Sequence, residues 1–492
     1  MVNPSFFSTR RAGPWLRLTA LVALTLVVRG AVVMAGWQDL RQDPDAYQRL
    51  AINLAVHGVY GFENPQTGDV RPTAYRPPLY PWLLSLLVDR PSASIPPQRI
   101  AMLHVALGLA TVLVVHALGQ RLCGKGAWLA AAAIAVDPLL LRSSQLAMTE
   151  TLATFLAAGA WWCWTVCGLQ SVKSPGCRGA MIRPIWWRWT ITGIVFGLSI
   201  LARPTAAVWC ALCAAALMTA PPRAAGWWTL AGRWVLVGGF TAGIALWVVP
   251  WAVRNYRVLG RPIWGTTHGG YTLLLANNPP LYKHFRRNGP QRNWQAEEFH
   301  QRWAARFDSP ISPVQPEYWD DATPPARPAG RAEVSAAPAY SPPQDELADD
   351  RLAYAAALAT IARNPGMFAL SCLYRIGWLW APWPQAANGA ARWMIGAWYT
   401  IWFILAAYGL WRRTWTERWL AWAPGLLLVV TLTAIHAVFW SNMRMRAPAM
   451  TTIYLLASCG VVARSLHAIH AAESRGAGRS GAAASDTVPR AH

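Results

Sequence analysis

Stretches of mostly apolar residues recur along almost the whole chain and are separated by shorter polar, often basic segments. A helix that crosses the hydrocarbon core of a membrane needs about 20 such residues, or about 17 at the short end. The pattern therefore predicts an all-α polytopic membrane protein with about ten membrane-spanning helices, within a range of about 10–12. The predicted spans are residues 16–36, 100–119, 126–141, 148–168, 190–203, 205–220, 233–251, 393–411, 419–437 and 448–464.

Basic residues between the apolar stretches predict the orientation of the chain, because Lys and Arg are enriched in cytoplasmic loops. The orientations that the separate basic loops predict agree with one another only if the segment 366–383 does not cross the membrane. This segment has Arg375 in its middle and ends in Trp378, Trp380 and Trp383, which favours an interfacial helix. Both termini are then cytoplasmic. The residues assigned to the inside are Arg10, Arg11, Arg17, Arg121, Lys125, Lys173, Arg178, Arg183, Arg188, Arg223, Arg233, Arg412, Arg413, Arg418, Arg464, Arg475 and Arg479.

This topology leaves two long segments on the outer side, 37–98 and 253–364. The second contains a stretch rich in Pro, Ala and Asp, 308–350, which predicts a mobile loop. We divide the chain accordingly into four parts. They are a membrane module 1–250 with the first outer loop 37–98, an outer region 251–392 with the interfacial helix near 366–383, the last spans 393–464, and a disordered cytoplasmic tail 465–492.

Composition excludes an ordinary soluble domain and a nucleic-acid-binding protein. Charged residues make up 13% of the chain, against about 25% in soluble proteins. The net charge of +22 follows from the basic loops, and no nucleic-acid-binding motif accompanies it. Most of the eight cysteines lie in or beside apolar stretches, so we expect neither a disulfide framework nor a zinc site.

Carboxylates near the predicted outer surface are the first candidates for chemistry. Asp43 and Asp45 follow the first span, and Glu150 begins the fourth. Carboxylates beside an apolar surface can act as a general base or bind a metal. Asp43 before Pro44 also suits a helix N-cap, and Glu150 suits a helix N-terminus, so both interpretations stay open. Asp137, with Pro138 after it, favours a helix stop, and we explain Arg29 by snorkelling.

Arginines in the same outer segments are candidates for binding an anion. Proline-rich sequence holds Arg71 and Arg76 on the outer face, and Arg444 and Arg446 precede the last span. Arginine binds phosphate through two parallel hydrogen bonds. Lipid headgroups would explain the first pair equally well, and an ion pair with loop carboxylates would explain the second.

The segment after the seventh span carries further polar residues. Arg254 and Asn255 are followed by His268, two glycines and Asn278. Glycines and amides beside arginines can form an anion-binding turn. This pattern is weak evidence when it is taken alone.

Together and in this order, these blocks resemble the bacterial glycosyltransferases of the type C fold that use polyprenyl-phosphate sugars. That group, glycosyltransferase family 39, includes protein O-mannosyltransferases and lipid A aminoarabinose transferases. The matching motifs are Asp43-Pro44-Asp45-Ala46-Tyr47, Arg76-Pro77-Pro78-Leu79-Tyr80-Pro81, Thr149-Glu150-Thr151-Leu152, Leu201-Ala202-Arg203-Pro204-Thr205, Pro250-Trp251, Arg254-Asn255-Tyr256, Gly269-Gly270, Asn277-Asn278-Pro279 and Arg444-Met445-Arg446-Ala447-Pro448.

The resemblance implies an inverting transfer from a polyprenyl-phosphate sugar to an acceptor hydroxyl at the periplasmic face of a bacterial inner (plasma) membrane. The acceptor would be a glycan, lipid or protein. The family's leading acidic residue falls on Asp43, the expected base, although the family often has Glu where Pro44 stands, which leaves the roles of Asp43 and Asp45 open. No cofactor is required, and the sparse acidic set does not favour a divalent metal. The implied site residues are Asp43, Asp45 and Glu150 for catalysis, Arg71, Arg76, Arg444 and Arg446 for the donor phosphate, and Tyr75, Tyr80, Arg254, Asn255, His268 and Asn278 as further candidates.

Two other functions are compatible with the topology. A transporter or a flippase for lipid-linked sugars would also be polytopic, although transporters usually contain internal repeats, and none is found in this sequence. An O-antigen ligase-like enzyme would use a diphosphate-linked donor, so the identity of the donor decides between it and the polyprenyl-phosphate enzyme.

Overall fold

The computed structural model describes residues 13–64, 67–168, 186–219, 230–290, 294, 296–320, 345–384, 389–412 and 419–461. The predicted tail 465–492 and most of the predicted mobile loop lie outside these ranges. The described part is mainly helical, with one antiparallel pair of short strands.

The helices follow the apolar stretches but divide several of them. They are α1 (Pro14–Ala35), α2 (Tyr47–His57), α3 (Leu79–Ser85), α4 (Pro97–Leu122), α5 (Ala127–Val136), α6 (Pro138–Ser143), α7 (Glu150–Cys163), α8 (Trp186–Ala202), α9 (Ala206–Thr219), α10 (Leu230–Leu259), α11 (Gly269–Ala276), α12 (Pro279–Asn288), α13 (Glu297–Ala304), α14 (Glu317–Asp320), α15 (Glu346–Arg363), α16 (Pro365–Trp380), α17 (Gly389–Trp411), α18 (Trp419–Val438) and α19 (450–461). The strands are β1 (Gly61–Glu63) and β2 (Val70–Pro72). Single 3-10 turns at Asp39–Arg41, Gly124–Gly126 and Met443–Ala449 and a π-helical turn at Trp164–Gly168 complete the described elements.

Five helices in the described ranges are long and apolar enough to cross a membrane, and two shorter apolar helices accompany them. The five are Trp15–Ala35, Pro97–Leu122, Leu230–Leu259, Gly389–Trp411 and Trp419–Val438. The protein is therefore a helical membrane protein, and the count of about ten spans stays a prediction. The predicted module boundary at residue 250 falls inside the continuous helix α10.

The predicted third span is broken at Pro138, as the sequence indicated. Proline has no backbone N–H, so the carbonyl of Ile134, four residues earlier, loses its helical partner. Arg29 of α1 supplies a replacement, because its Nη2 donates to that carbonyl at 3.3 Å and its Nη1 donates to Ser144 Oγ at 2.8 Å. Arg29 is 1% exposed. The expectation that it snorkels to the membrane surface is therefore wrong.

Asp137 connects three helices at the same break. Its carboxylate accepts the backbone N–H of Leu140 at 2.8 Å and so caps α6. The hydroxyl of Tyr399 in α17 donates to it at 3.0 Å, and the hydroxyl of Tyr454 in α19 donates as well. The predicted helix stop is confirmed, and its side chain also joins the C-terminal helices to the N-terminal ones.

Small residues allow α8 and α10 to pack closely. A Cβ atom at Gly193 would lie 2.0 Å from the carbonyl oxygen of Phe240, and one at Gly243 would lie 2.1 Å from that of Thr190. Glycines four residues apart are the usual way in which membrane helices bring their backbones together. Gly193 with Gly197, and Gly239 with Gly243, have that spacing.

Two buried arginines fix the ends of helices near α16. Arg375 donates to the carbonyls of Ala437 and Ala276, both at 2.6 Å, at the ends of α18 and α11. Arg446 donates to the carbonyls of Leu379 and Ala381 at the end of α16. A guanidinium at a helix C-terminus satisfies carbonyls that have no helical partner. The segment 366–383 is therefore helical up to Trp380, Arg375 points into the protein, and an interfacial position of this helix stays a prediction.

Cys123 and Cys459 form a disulfide that joins the end of α4 to α19. The expectation of no disulfide is wrong for this pair, since the two residues lie 336 positions apart and the sequence gives no sign that they meet.

The region that the sequence predicted to lie outside the membrane has its own core. Helices α11, α13, α14 and α15 enclose an aromatic cluster that includes Phe299, Trp303, Tyr318 and Trp319. Helix α14 and the start of α15 fall within the stretch 308–350, where the sequence predicted only a mobile loop. Aromatic residues at Tyr318 and Trp319 explain this order, because burying such rings contributes strongly to stability.

Candidate functional site

Asp43 holds the start of α2. Its two carboxylate oxygens accept the backbone N–H groups of Gln48 at 3.1 Å and Arg49 at 2.9 Å. The helix begins at Tyr47 after Ala46, which has the left-handed φ of 62°. The predicted N-cap position is wrong, because the helix starts three residues later than the cap–proline pattern indicated and Ala46 is its N-cap residue, although the Asp43 side chain does accept N–H groups of the first turn. Burial raises the pKa of the Asp43 carboxyl, and the two N–H groups oppose that shift.

Asp45 forms an ion pair with Arg76. Arg76 Nη2 lies 2.8 Å from Asp45 Oδ1, and Arg76 Nε donates to the Asp45 backbone carbonyl at 3.0 Å. The guanidinium lies over the ring of Tyr75 at 4.7 Å and over that of Tyr47 at 5.5 Å. Two hydrogen bonds and two ring faces fix the orientation of Arg76. Asp45 Oδ2 has no hydrogen-bond partner in the described ranges.

Glu150 is the first residue of α7 and brings two more arginines together. Its Oε1 lies 2.9 Å from Arg203 Nη2 and 3.9 Å from Arg444 Nε. The side chain of Glu150 is 2% exposed, whereas that of Arg444 is 34% exposed. Oε2 is buried and has no hydrogen-bond partner among the described residues. One carboxylate facing two guanidinium groups leaves this cluster with a net positive charge.

Tyr47 connects the two clusters. Burial raises its pKa to about 12, and the charges of Arg76, Asp45, Arg203 and Glu150 all act on its hydroxyl. The Arg76 guanidinium lies over the Tyr47 ring, and the charges of the second ion pair, Glu150 with Arg203, act on the same hydroxyl. We call the five charged residues of the two clusters the acid–arginine site: Asp45, Arg76, Glu150, Arg203 and Arg444.

His268 and Tyr75 extend this site. Their rings are 4.5 Å apart, and the ring of Tyr271 stacks on His268 at 4.9 Å. Burial, and to a lesser extent the charge of Arg76, hold the pKa of His268 well below its usual range. The imidazole is therefore neutral at neutral pH and can donate or accept one hydrogen bond at each nitrogen.

Several predicted site residues have structural contacts instead. Arg254 donates to the backbone carbonyls of Thr73 and Tyr60, both at 2.7 Å. Asn255 Nδ2 donates to the carbonyl of Ile263 at 2.7 Å.

Asn278 is an N-cap, because its side chain accepts the N–H of Leu281 at 2.8 Å. The hydroxyl of Tyr80 lies 2.9 Å from His104 Nε2 and so belongs to a buried pair. Like Arg254 and Asn255, these two residues shape the surroundings of the site.

Two of the four arginines assigned to the donor phosphate do not join the acid–arginine site. Arg71 lies exposed on β2, and no ion pair links it to another described residue. Arg446 is fully buried, and its guanidinium lies 4.5 Å from the ring centre of Tyr399. Its Nη1 contacts with two carbonyls at the end of α16 hold it in this buried position.

Arg203 was missed as a site residue. The sequence placed it at the break between two short spans and in a family-like motif, but a basic residue beside proline also fits a helix end. In the structure its Nε donates to Thr149 Oγ1 at 2.9 Å while Nη2 pairs with Glu150. A carboxylate and an arginine that both fall at apolar span ends were the available signal, since buried charges are usually paired.

The predicted anion-binding turn at Gly269 and Gly270 does bind a carboxylate, and that carboxylate belongs to this chain. The N–H of Gly270 donates to Asp350 Oδ1 at 2.7 Å. Burial raises the pKa of Asp350 to about 6, with help from the charges of Asp349 and Glu346.

Asp350 gives a pH prediction. Its pKa is higher in the folded state than in the unfolded chain, so folding is favoured most at low pH and loses stability as pH rises from about 4 to about 6. Asp350→Asn keeps an acceptor for Gly270 and removes the charge. We expect this variant to melt a few degrees higher than the wild type at about pH 8 and equally at about pH 4. The melting temperatures are measured in detergent across pH. If the difference between the variant and the wild type were the same at every pH, the raised pKa would not belong to Asp350.

No group of three or more His, Cys, Asp or Glu side chains in the described ranges is arranged to hold a metal ion. The expectation that no divalent metal is required therefore stays a prediction.

Comparisons with known proteins give similarities of structure. No family model matches the sequence, and no curated protein matches it. The apo oligosaccharyltransferase of Archaeoglobus fulgidus is 14% identical, with a TM-score of 0.48 over 93% of this chain and 51% of its own. The chain thus spans about half the length of that protein.

Two complexes are also similar. AglB from Archaeoglobus fulgidus, with an inhibitory peptide and a dolichol-phosphate, is 14% identical with a TM-score of 0.43, over 97% of this chain and 52% of its own. ArnT from Cupriavidus metallidurans, bound to undecaprenyl phosphate, is 14% identical with a TM-score of 0.36, over 90% and 77%. These proteins are glycosyltransferases of the type C fold. Since every TM-score quoted is below 0.5, the proposals below rest on the geometry of the site.

Proposed function

We propose that this chain is an inverting glycosyltransferase that moves a sugar from a polyprenyl-phosphate donor to an acceptor hydroxyl. The observation that carries the proposal is the acid–arginine site, in which the Asp45–Arg76 and Glu150–Arg203 ion pairs both act on Tyr47 and Arg444 lies 3.9 Å from Glu150. Such a transfer needs a base for the hydroxyl and positive charge for the leaving phosphate. The site supplies both.

The donor phosphate would bind to Arg76, Arg203 and Arg444. Arg76 Nη1 has no hydrogen-bond partner in the described ranges, and Arg444 is the most exposed of the three. Arg203 and Arg444 face a single carboxylate, so this cluster has a net positive charge that can bind an anion. They replace Arg71 and Arg446 in the set that the sequence suggested.

Asp45 would accept the proton of the acceptor hydroxyl. Its Oδ1 is held by Arg76, and Oδ2 remains open. The acceptor oxygen then attacks the anomeric carbon, the bond from that carbon to the phosphate oxygen breaks, and polyprenyl phosphate leaves with the bonding electrons. Attack opposite the leaving group inverts the anomeric centre.

This chemistry belongs at the periplasmic face of a bacterial inner membrane. In the proposed topology about ten spans cross the membrane, both termini are cytoplasmic, and residues 37–98 and 253–364 lie outside. The donor's lipid tail would enter between spans, beside exposed Arg444. The acceptor is a glycan, lipid or protein, and no metal is required.

The test is donor turnover by purified protein in lipid nanodiscs. A panel of undecaprenyl-phosphate sugars is supplied together with extracted envelope acceptors, and free undecaprenyl phosphate is measured by mass spectrometry. We expect acceptor-dependent release from a monophosphate donor. Release only from diphosphate donors would indicate a ligase-like enzyme, and transbilayer movement of an intact donor would indicate a flippase.

A further inference from the structure

The four residues Thr73 to Arg76, which we call the arginine segment, are held by distant parts of the chain. An extended segment outside a sheet must find separate partners for its backbone polar groups. The bonds are Thr73 N–H to the Tyr60 carbonyl (3.1 Å), Arg254 Nη1 to the Thr73 carbonyl (2.7 Å), Ala74 N–H to Glu346 Oε1 (3.0 Å), Thr267 N–H to the Ala74 carbonyl (3.0 Å), Tyr75 N–H to Thr73 Oγ1 (3.0 Å) and the Tyr60 hydroxyl to the Arg76 carbonyl (2.9 Å).

Glu346 makes two of the contacts that hold this segment. Its Oε1 accepts from Ala74, and its Oε2 accepts from the hydroxyl of Thr73. Arg254 binds the same segment, and its charge and that of Glu346 act on each other. A carboxylate and a guanidinium therefore fix Thr73 and Ala74 immediately before Arg76.

Helix α15 also holds the His268 side of the site. Asp350, one turn after Glu346, accepts from the N–H of Gly270. A Cβ atom at Gly270 would lie 2.2 Å from the carbonyl oxygen of Asp350, so only glycine allows this approach. One helix thus carries two carboxylates that hold the segments of Tyr75 and His268, whose rings touch.

We propose that Glu346 is a positioning residue for the acid–arginine site: through Thr73 and Ala74 it sets where the guanidinium of Arg76 lies. This inference rests on the proposed function, because it assigns Arg76 to the donor phosphate. Glu346 touches no reacting atom. It belongs to the outer region, 270 or more residues after the segment that it holds.

Two substitutions at this position separate positioning from folding. Glu346→Ala leaves the Ala74 N–H and the Thr73 hydroxyl without their partner. Glu346→Gln keeps an oxygen for Ala74 and offers an amide N–H to Thr73, so it should restore most of the geometry. The matched control is Asp349→Asn on the same helix, whose carboxylate pairs with Arg306 at 2.6 Å and does not touch the arginine segment.

The experiment measures hydrogen exchange in peptides covering 70–78 and the affinity for undecaprenyl phosphate, both in nanodiscs. We expect Glu346→Ala to speed exchange at Ala74 and weaken binding on the order of tenfold, since small misplacements of binding groups are costly. Glu346→Gln should recover most of both, and Asp349→Asn should match the wild type.

The inference would be overturned if Glu346→Ala showed the same exchange rates and the same affinity as the wild type. It would also be overturned if exchange became faster while the affinity stayed unchanged. If the wild type itself fails to bind undecaprenyl phosphate, the proposed function is refuted. In that case the exchange rates alone decide whether Glu346 fixes the segment.

Discussion

Replacing Arg203 with methionine is expected to reduce turnover of the donor by about two to three orders of magnitude, because it removes a fixed guanidinium from the leaving phosphate. The same change leaves the carboxylate of Glu150, which is 2% exposed, with only the longer contact to Arg444. Breaking a buried ion pair from one side costs about 3–5 kcal/mol. Turnover and thermal stability should therefore fall together in this single variant.

A double variant separates these two effects. Glu150→Gln combined with Arg203→Met removes both charges, so no buried charge is left without its partner. We expect the double variant to regain most of the lost melting temperature but none of the lost turnover. Recovery of turnover along with stability would mean that Arg203 only supports the fold, and the phosphate would then have to be bound by Arg76 and Arg444 alone.

The sequence predicted the features that depend on local pattern. The apolar stretches predicted the long helices, and Asp137 with Pro138 predicted the break in the third predicted span. Local pattern also explains why Asp43 accepts N–H groups of α2, although Ala46 and not Asp43 is the N-cap residue. An N-cap pattern specifies which side chain can accept N–H bonds, but Ala46 in the left-handed conformation moved the first helical residue to Tyr47.

The partners of charged residues could not be predicted in the same way. Arg444 and Arg446 are two positions apart, and nothing in their sequence context distinguishes them. In the 3-10 helix Met443–Ala449 they point in different directions, so Arg444 contacts Glu150 and Arg446 binds carbonyls at the end of α16. Arg203 and Glu346 pair with residues 53 or more positions away, and such pairing depends on how helices pack. Sequence spacing carries no information about it.

These contacts also explain why the site can be both charged and stable. Each arginine is oriented by something other than the proposed ligand: Arg76 by two aromatic rings and Asp45, Arg203 by Thr149 and Glu150. Preorganised charges cost little reorganisation when a phosphate binds. Partly exposed Arg444 differs, since its 3.9 Å contact with Glu150 is weak enough to be exchanged for a ligand, and its other side-chain contact is with the sulfur of Met148.

The two aspartates give the second large prediction. Asp45→Asn preserves the shape of the side chain and its contact with Arg76 but removes the proposed base, so we expect turnover to fall by about 10²–10⁴. Asp43→Asn should lower turnover less than about tenfold, because its amide oxygen still accepts one of the two N–H groups of α2 and only the other hydrogen bond is lost. Both variants should fold, which makes the comparison informative.

The measurement is the rate of undecaprenyl phosphate release at saturating donor, across pH, for both variants. If Asp45 is the base, Asp45→Asn should lower the rate of release at saturating donor, while the affinity for undecaprenyl phosphate changes little. A larger loss of turnover in Asp43→Asn than in Asp45→Asn would assign the base to Asp43, as the family motif implies. The two N–H bonds to Asp43 would then serve to hold the base in place. Since those bonds occupy one lone pair on each oxygen of Asp43, whereas Asp45 Oδ2 is open, the contact geometry favours Asp45.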